Sequence, residues 1–374
     1  MSISVFTSSK FRFWSFVSMV LLVFVHGYNL DNRYMQPWTL PGEPMDLTAF
    51  TEYFLANGIF RFRIPMLFII SGFLYALHDQ KPYKQRTNKR LRTLLAPYLI
   101  WSAFGLVFTY LLELFPVGQG LVAGSHIVQI DNTRQLLHDY HWYELIGRWI
   151  IMPVPYQLWF IRVLLIYNIA YPAIRWCVTN SKARWAFFAV VSLMWLGTMG
   201  FVFFEGEGLL FFSLGVWMQK AEFDIELPRN WSNPLWWGIA FVSLAAIKSI
   251  LAFHGEIYLG NAIFPVLIIL HKIVIVSGLF SCWFGLNRIV RWCMGKRFFV
   301  WISAFSFIIY AIHAPLVAYL INPSLVLLDH LPATRMLAFF LLPVSIIFIA
   351  VGIGSFLRRF SPKMYSLLTG GRGF

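Results

Sequence analysis

His26 is the residue in this chain best suited to acid–base chemistry. Arg12, Ser15, Met19 and His26 fall on one face of a helical wheel. At about 1.5 Å per residue, Arg12 and His26 stand roughly 20 Å apart along that face. A neutral imidazole takes a proton from a hydroxyl, which is the task of a general base. The other reading of the same residue is a histidine near the lipid headgroups that hydrogen-bonds a neighbour. A base works better when an acid orients it. Asp31, Asp46 and Glu52 follow in the next polar segment, and the sequence does not choose among them.

A second chemistry lies between His78 and Arg92, the densest basic run, with Lys81, Lys84, Arg86, Lys89, Arg90 and Arg92. Arg86, Lys89 and Arg90 fall on adjacent turns where an apolar stretch begins. Guanidinium groups beside free backbone N–H groups make an anion site, for phosphates above all. The run would equally anchor the chain against anionic lipid. Arg162, Lys248, Lys272 and His313 lie inside apolar stretches, where an ionisable group is costly and so a functional candidate. His313 follows Tyr310 by one turn, and both either line an internal cavity or are satisfied contacts. No metal-ligand spacing of the HExxH kind occurs, nor a GxSxG elbow or a phosphate-cradling glycine loop.

The elements that hold these residues follow from composition. Of 374 residues, 59% are hydrophobic and only 12% charged, with a mean hydropathy of +0.67. Soluble domains carry about 25% charged residues, so this chain cannot cover its surface in water. The reading is an all-α polytopic membrane protein forming one transmembrane domain over 1–374. Ten spans are expected, at 13–30, 60–78, 93–115, 157–177, 184–204, 207–219, 233–253, 262–284, 298–320 and 336–357. The first has no small-residue cleavage site after it and reads as a retained span.

With both termini cytoplasmic, 21 of the 30 Lys and Arg fall inside and six outside, and three lie within spans. The formal charge of +14 therefore reflects positive-inside loops and not a nucleic-acid partner. Cys177, Cys282 and Cys293 fall near the cytoplasmic side and read as free thiols. The two large outside segments, 31–59 and 116–156, are rich in aromatic residues.

Several segments in order resemble the acyltransferase 3 family of membrane proteins. They are His26 late in the first span, Arg63-Ile64-Pro65-Met66-Leu67-Phe68-Ile69-Ile70-Ser71-Gly72-Phe73-Leu74, and Lys89-Arg90-Leu91-Arg92 running to Pro97-Tyr98. Leu158-Trp159-Phe160-Ile161 and the late Ser306-Phe307 to Tyr310 and His313-Ala314-Pro315 complete the set. The resemblance implies an inner-membrane enzyme that moves an acyl group, acetyl or succinyl, from cytoplasmic acyl-CoA to a hydroxyl of an extracytoplasmic carbohydrate. Acyl-CoA is then a co-substrate, and no cofactor is tightly bound.

By the same resemblance His26 matches the base, Arg90 and Arg92 the basic motif at the donor phosphates, and Trp159 the span-four tryptophan. Many members carry a basic residue eleven positions before the histidine. Here that position is Ser15, and Arg12 on the same face is the substitute. In this scheme Arg86, Lys89 and Arg12 join the donor site. Arg61, Arg63 or Arg162 stabilises the oxyanion. Ser71, Trp159, Tyr310 and His313 line the substrate path. The rival class is a transporter or lipid-binding protein without chemistry, in which Arg162, Lys248 and Lys272 form a polar path; the two matched halves common in transporters are not seen. Assembly as a homo-oligomer stays open.

Overall fold

The protein is described by a computed structural model over residues 3–27, 37–39, 42–130 and 134–373. Within these residues the architecture is a bundle of helices with one two-residue-per-strand β-hairpin. The first helix, α1, runs Val5–His26, and the Ser4 hydroxyl caps it by accepting from the Thr7 N–H at 2.9 Å. Helix α2 (Leu47–Tyr53) passes through a widened turn at Phe54–Ile59 into α3 (Arg63–Leu77). Helix α4 (Tyr83–Arg90) runs through a second widened turn at Leu91–Leu95 into α5 (Ala96–Leu112). Then come α6 (Pro116–Ser125), α7 (Trp142–Ile150), α8 (Trp159–Ile169), α9 (Tyr171–Thr179) and α10 (Ser181–Leu196).

Strands β1 (Gly200–Phe201) and β2 (Phe204–Glu205) pair antiparallel, with Phe201 opposite Phe204. Helices α11 (Gly206–Lys220), α12 (Pro234–Leu259), α13 (Ile263–Gly285), α14 (Asn287–Met294) and α15 (Arg297–Ser303) follow. The last are α16 (Ser306–Leu328), α17 (Thr334–Phe360) and α18 (Pro362–Thr369).

Glycines set the closest approaches. Helix α3 lies parallel to α11, with Gly208 at Phe68, Gly72 against the Phe212 carbonyl, Gly215 against the Ile69 carbonyl and Lys220 donating to the Ala76 carbonyl; a methyl group at Gly72 or Gly215 would strike backbone. Helices α12 and α13 form a hairpin, with Pro234 at Gly285, Phe241 at Gly278 and Ile263 at Gly255. Helices α16 and α17 pair likewise, with Gly354 against Phe305 and Ile308. The core between them is aromatic, with Trp14, Phe68, Phe212 and Phe305 fully buried.

Two sequence expectations change here. By length and apolar character six helical stretches are able to cross a bilayer, or seven if α8 and α9, bent by 65°, form one span. One of the six, Asn230–Gly285, contains the α12–α13 hairpin and so both helices expected there. The expected spans at 184–204 and 207–219 fall on helices of only 16 and 15 residues. A straight crossing needs about 20.

The segment 116–156 also does not stay outside the bundle. Its first part is tied to the end of α5 by Glu113, which accepts from the Leu137 N–H at 2.8 Å and meets His138 Nδ1 at 2.7 Å. Helix α7 then runs back along α5. The Trp149 indole donates to the Leu99 carbonyl at 2.9 Å, and the Tyr98 hydroxyl donates to the Ile150 carbonyl at 2.8 Å. From Glu113 to Leu99 is about 21 Å of helix at 1.5 Å per residue. Pro155 then seats on Gly105, where a side chain would leave no room.

Candidate functional site

Helix α1 ends at His26, and the chain delivers that ring into the interior of the bundle. Nδ1 of His26 stands 2.7 Å from the Tyr156 hydroxyl, and the two rings meet edge to face with centroids 5.1 Å apart. Nε2 has no hydrogen-bond partner among the described residues. The His313 ring lies at 5.2 Å, tilted by 33°. His313 is wholly buried, and its Nδ1 points at the Tyr310 and Ile309 carbonyls at 2.8 and 3.1 Å. Carbonyls only accept, so Nδ1 carries the proton and a neutral His313 presents a bare lone pair at Nε2. That Nε2 is buried without a partner.

The local sequence around His313 accounts for how Tyr156 is held. Pro315 has no N–H, so the Ala311 carbonyl loses its helical donor. Gln157 fills the place: its Nε2 donates to the Ala311 carbonyl at 2.9 Å, and the Tyr310 hydroxyl donates to the Gln157 carbonyl at 2.6 Å. This clasp fixes the Tyr156–Gln157 pair against α16, and with it the Tyr156 hydroxyl against His26. The site is also deeper than the sequence suggests. His313 stands on the third helical position after Tyr310, seven residues past Ser306 and fifteen before Leu328. The imidazole pair therefore lies about 10 Å into α16 and not at its far end.

At the other end of the bundle is a cavity of about 500 Å³ lined by Tyr75, His78, Lys81, Gln85, Arg86, Lys89, Arg90, Arg92 and Thr93 among others. Four of the five expected donor residues thus share one wall. Arg86 is itself anchored, pairing with Asp79 at 2.8 Å, which also holds Lys220 at 2.5 Å and Arg175 at 3.0 Å. Burial pushes the Asp79 carboxyl up, but Lys220, Tyr171 and Arg175 outweigh it and hold it below its ordinary value. The fifth, Arg12, is elsewhere: it donates to the Ser303 hydroxyl at 2.8 Å and the Val300 carbonyl at 2.5 Å, joining α1 to α15. The stripe from Arg12 to His26 is therefore a helix contact at one end, with the His26 ring at the other.

The remaining expected residues fall into two groups. Arg61 and Arg63 lie at the widened turn before α3, in a buried basic cluster. Arg61 Nε donates to Asn57 Oδ1 at 3.0 Å, and Arg63 donates to the Phe60 carbonyl at 2.8 Å. Lys248, fully buried, donates to the Asn57 carbonyl at 2.7 Å and meets His271 Nδ1 at 3.0 Å. Lys272 beside it faces Glu207 at 3.9 Å.

The acids sit apart from that ring. Asp46 caps α2, accepting from the Ala49 N–H at 2.7 Å, and Glu52 pairs with Arg335 at 2.7 Å. Asp31 lies outside the described residues. Arg162 donates to the Ile151 carbonyl and so ties α8 to the end of α7. Trp159 packs near Phe68 at 6.3 Å, and Ser71 is half-buried beside Gly72. Among the described residues no group of three His, Cys, Asp or Glu is arranged for a metal ion.

Sequence reasoning missed Tyr156 and Gln157. The available signal was the pair of prolines at 153 and 155, which fixes a rigid approach to the fourth apolar stretch. It also missed Arg372. Glycines 370, 371 and 373 all have positive φ and turn the chain so that Arg372 reaches inward over the Phe307 ring at 4.9 Å. Burial and the like charge of Arg90 push this guanidinium down to about 10.

A membrane bundle with a half-buried His26 against a wholly buried His313 at one end of a path, and a basic cavity at the other, has the layout of a group-transfer enzyme. The family profile described as an acyltransferase domain, that of acyltransferase 3, matches residues 16–355. The chain belongs to that family and is a membrane acyltransferase. It is also similar to the succinoglycan biosynthesis protein ExoH of Rhizobium meliloti (strain 1021), with 26% identity over 324 residues, 85% of this chain and 81% of that protein. No solved structure matches the chain. The acyltransferase class replaces the transporter that the sequence left open.

Proposed function

We propose that this protein takes an acyl group, acetyl or succinyl, from cytoplasmic acyl-CoA and places it on a carbohydrate hydroxyl outside the inner membrane. The observation that carries this reading is the pairing of a basic cavity with a distant base, joined by contiguous contacts. Thr93 of the cavity wall touches Gly370, Arg372 covers Phe307, Phe307 meets Tyr310 at 5.8 Å, and His313 lies between Tyr310 and His26. Arg86, Lys89, Arg90 and Arg92 would hold the donor phosphates, and the pantetheine arm would run along this file. The basic end is then cytoplasmic, a reading that the distribution of Lys and Arg supports.

In the reaction His26 Nε2 removes the proton of the acceptor hydroxyl while Nδ1–H donates to the Tyr156 oxygen. The freed oxygen attacks the thioester carbonyl carbon, and the electron pair moves onto the carbonyl oxygen. As this oxyanion collapses, the carbon–sulfur bond breaks and the thiolate takes the proton from His26. The products are the ester and free coenzyme A. Arg63 and Arg61 supply positive charge toward the developing oxyanion. The name of the relative, a succinoglycan biosynthesis protein, favours a glycan acceptor.

Mass spectrometry of cell-envelope glycans tests this. Cells carrying the protein are expected to show an acyl mass increment that disappears with His26→Ala at equal membrane abundance. The increment names the acyl group. An increment unchanged in His26→Ala would remove His26 from the role of base.

A further inference from the structure

Arg90 lines the basic cavity, and the turn that carries Arg372 lies against Thr93 of the same wall, through Gly370. Arg90 stacks over Tyr75 at 5.3 Å. Arg372 makes one hydrogen bond, to the Thr369 carbonyl of its own turn at 3.2 Å. Among the described residues neither has an acidic partner, although Arg86 one turn away is paired with Asp79. Holding a half-buried guanidinium unpaired costs solvation that nothing in the chain repays.

The fold nonetheless holds Arg372 there firmly. Helix α18 is clamped to α5 by the Trp101 indole, which donates to the Leu368 carbonyl at 2.9 Å. Tyr365, fully buried, donates to the Ala304 carbonyl at 3.2 Å. Gly370 lies against the Thr93 carbonyl so closely that no side chain would fit. A rigid support that holds an unpaired, half-buried cation beside a basic cavity wall is the arrangement of an anion site awaiting its ligand.

We propose that Arg372 is a donor-binding residue which, with Arg90, clamps the diphosphate of the coenzyme A thioester where its pantetheine arm leaves the cavity toward His26. The inference rests on the donor reading above. The position selects the diphosphate: Arg372 stands beside the Thr93 wall of the cavity, over Phe307 and toward Tyr310, where the arm would depart. The outer-lying Lys81 and Lys89 are left to the nucleotide end.

Binding of coenzyme A and of 3′-dephospho-coenzyme A to the purified full-length protein in lipid nanodiscs tests this, with Arg372→Ala, Arg372→Lys, Arg90→Ala and Arg359→Ala. Arg359 is exposed on α17 and controls for loss of one positive charge. Arg372→Ala is expected to weaken both ligands about tenfold or more, to an equal degree, with Arg359→Ala unchanged. Arg372→Lys keeps the charge but not the fork, so a smaller, severalfold loss is expected. Should Arg372→Ala fail to fold, the lysine variant carries the comparison. If Arg90→Ala weakens binding and the Arg372 variants do not, the donor reading survives and this inference falls. If the loss vanishes with the dephospho ligand, the diphosphate assignment is overturned. If the unaltered protein binds neither ligand, the donor reading and this inference fall together.

Discussion

The hydroxyl of Tyr156 decides which nitrogen of His26 is available for chemistry. Because it occupies Nδ1 at 2.7 Å, Nε2 is the edge of the ring that the proposed reaction uses. A tyrosine in the position where an acid was expected gives a different base. It orients the ring without placing a fixed negative charge beside it, so the imidazolium formed on proton removal must be stabilised elsewhere or be short-lived. Tyr156→Phe keeps the ring and removes the hydroxyl that meets His26. We expect kcat to fall about tenfold, the energy of one hydrogen bond, with coenzyme A affinity and melting temperature unchanged. Steady-state kinetics with a binding measurement checks the split. An equal fall in donor affinity would place Tyr156 in binding instead.

At the scale of elements, Asp79 is the pin of the basic end. It follows α3 directly and gathers Arg86 of α4, Arg175 of α9 and Lys220 of α11, and so sets the wall on which the cavity residues stand. Its folded-state titration lies below its ordinary value. The ionised form therefore stabilises the fold above the unfolded-state value near pH 4, and that contribution is lost as pH falls through the folded one. Removing one member of a largely buried ion cluster costs about 3 kcal/mol. Asp79→Asn is expected to lower the melting temperature at pH 7 and to converge with the unaltered protein as the pH drops below about 4. Melting curves across that range measure it, and a gap that persists at low pH would show that packing and not charge is responsible.

At the scale of the whole molecule, the basic cavity and the far-end segment around Glu113 and His138 lie at opposite ends of α5. The proposed reaction needs the first inside and the second outside. With Cys177, Cys282 and Cys293 replaced, single cysteines at Lys84 and Gln135, both exposed, report on this. A membrane-impermeant maleimide is expected to label Gln135→Cys in intact cells and Lys84→Cys only after lysis. The reverse pattern would invert the orientation and leave the donor cavity facing away from the coenzyme A pool.

The sequence by itself determined that the chain is an all-helical membrane protein and which residues make the basic run from His78 to Arg92. Composition and runs of apolar residues are local properties, and solvent in the bilayer enforces them on every segment alike. The Lys89–Arg92 motif and the cavity coincide because four side chains on neighbouring turns share a wall whatever surrounds them. Tertiary structure alone decided the partners. Arg12 was read with the donor site from its face on α1, yet it closes on α15, 288 to 291 residues later. Segment 116–156 reads as a surface loop, yet Gly105 leaves a seat into which Pro155 settles, carrying Tyr156 to His26 across 130 residues of sequence. Arg372 is one of 30 basic residues until left-handed glycines turn it inward. Contacts between residues so distant in sequence leave no periodicity, since each depends on the shape that all the other helices make together.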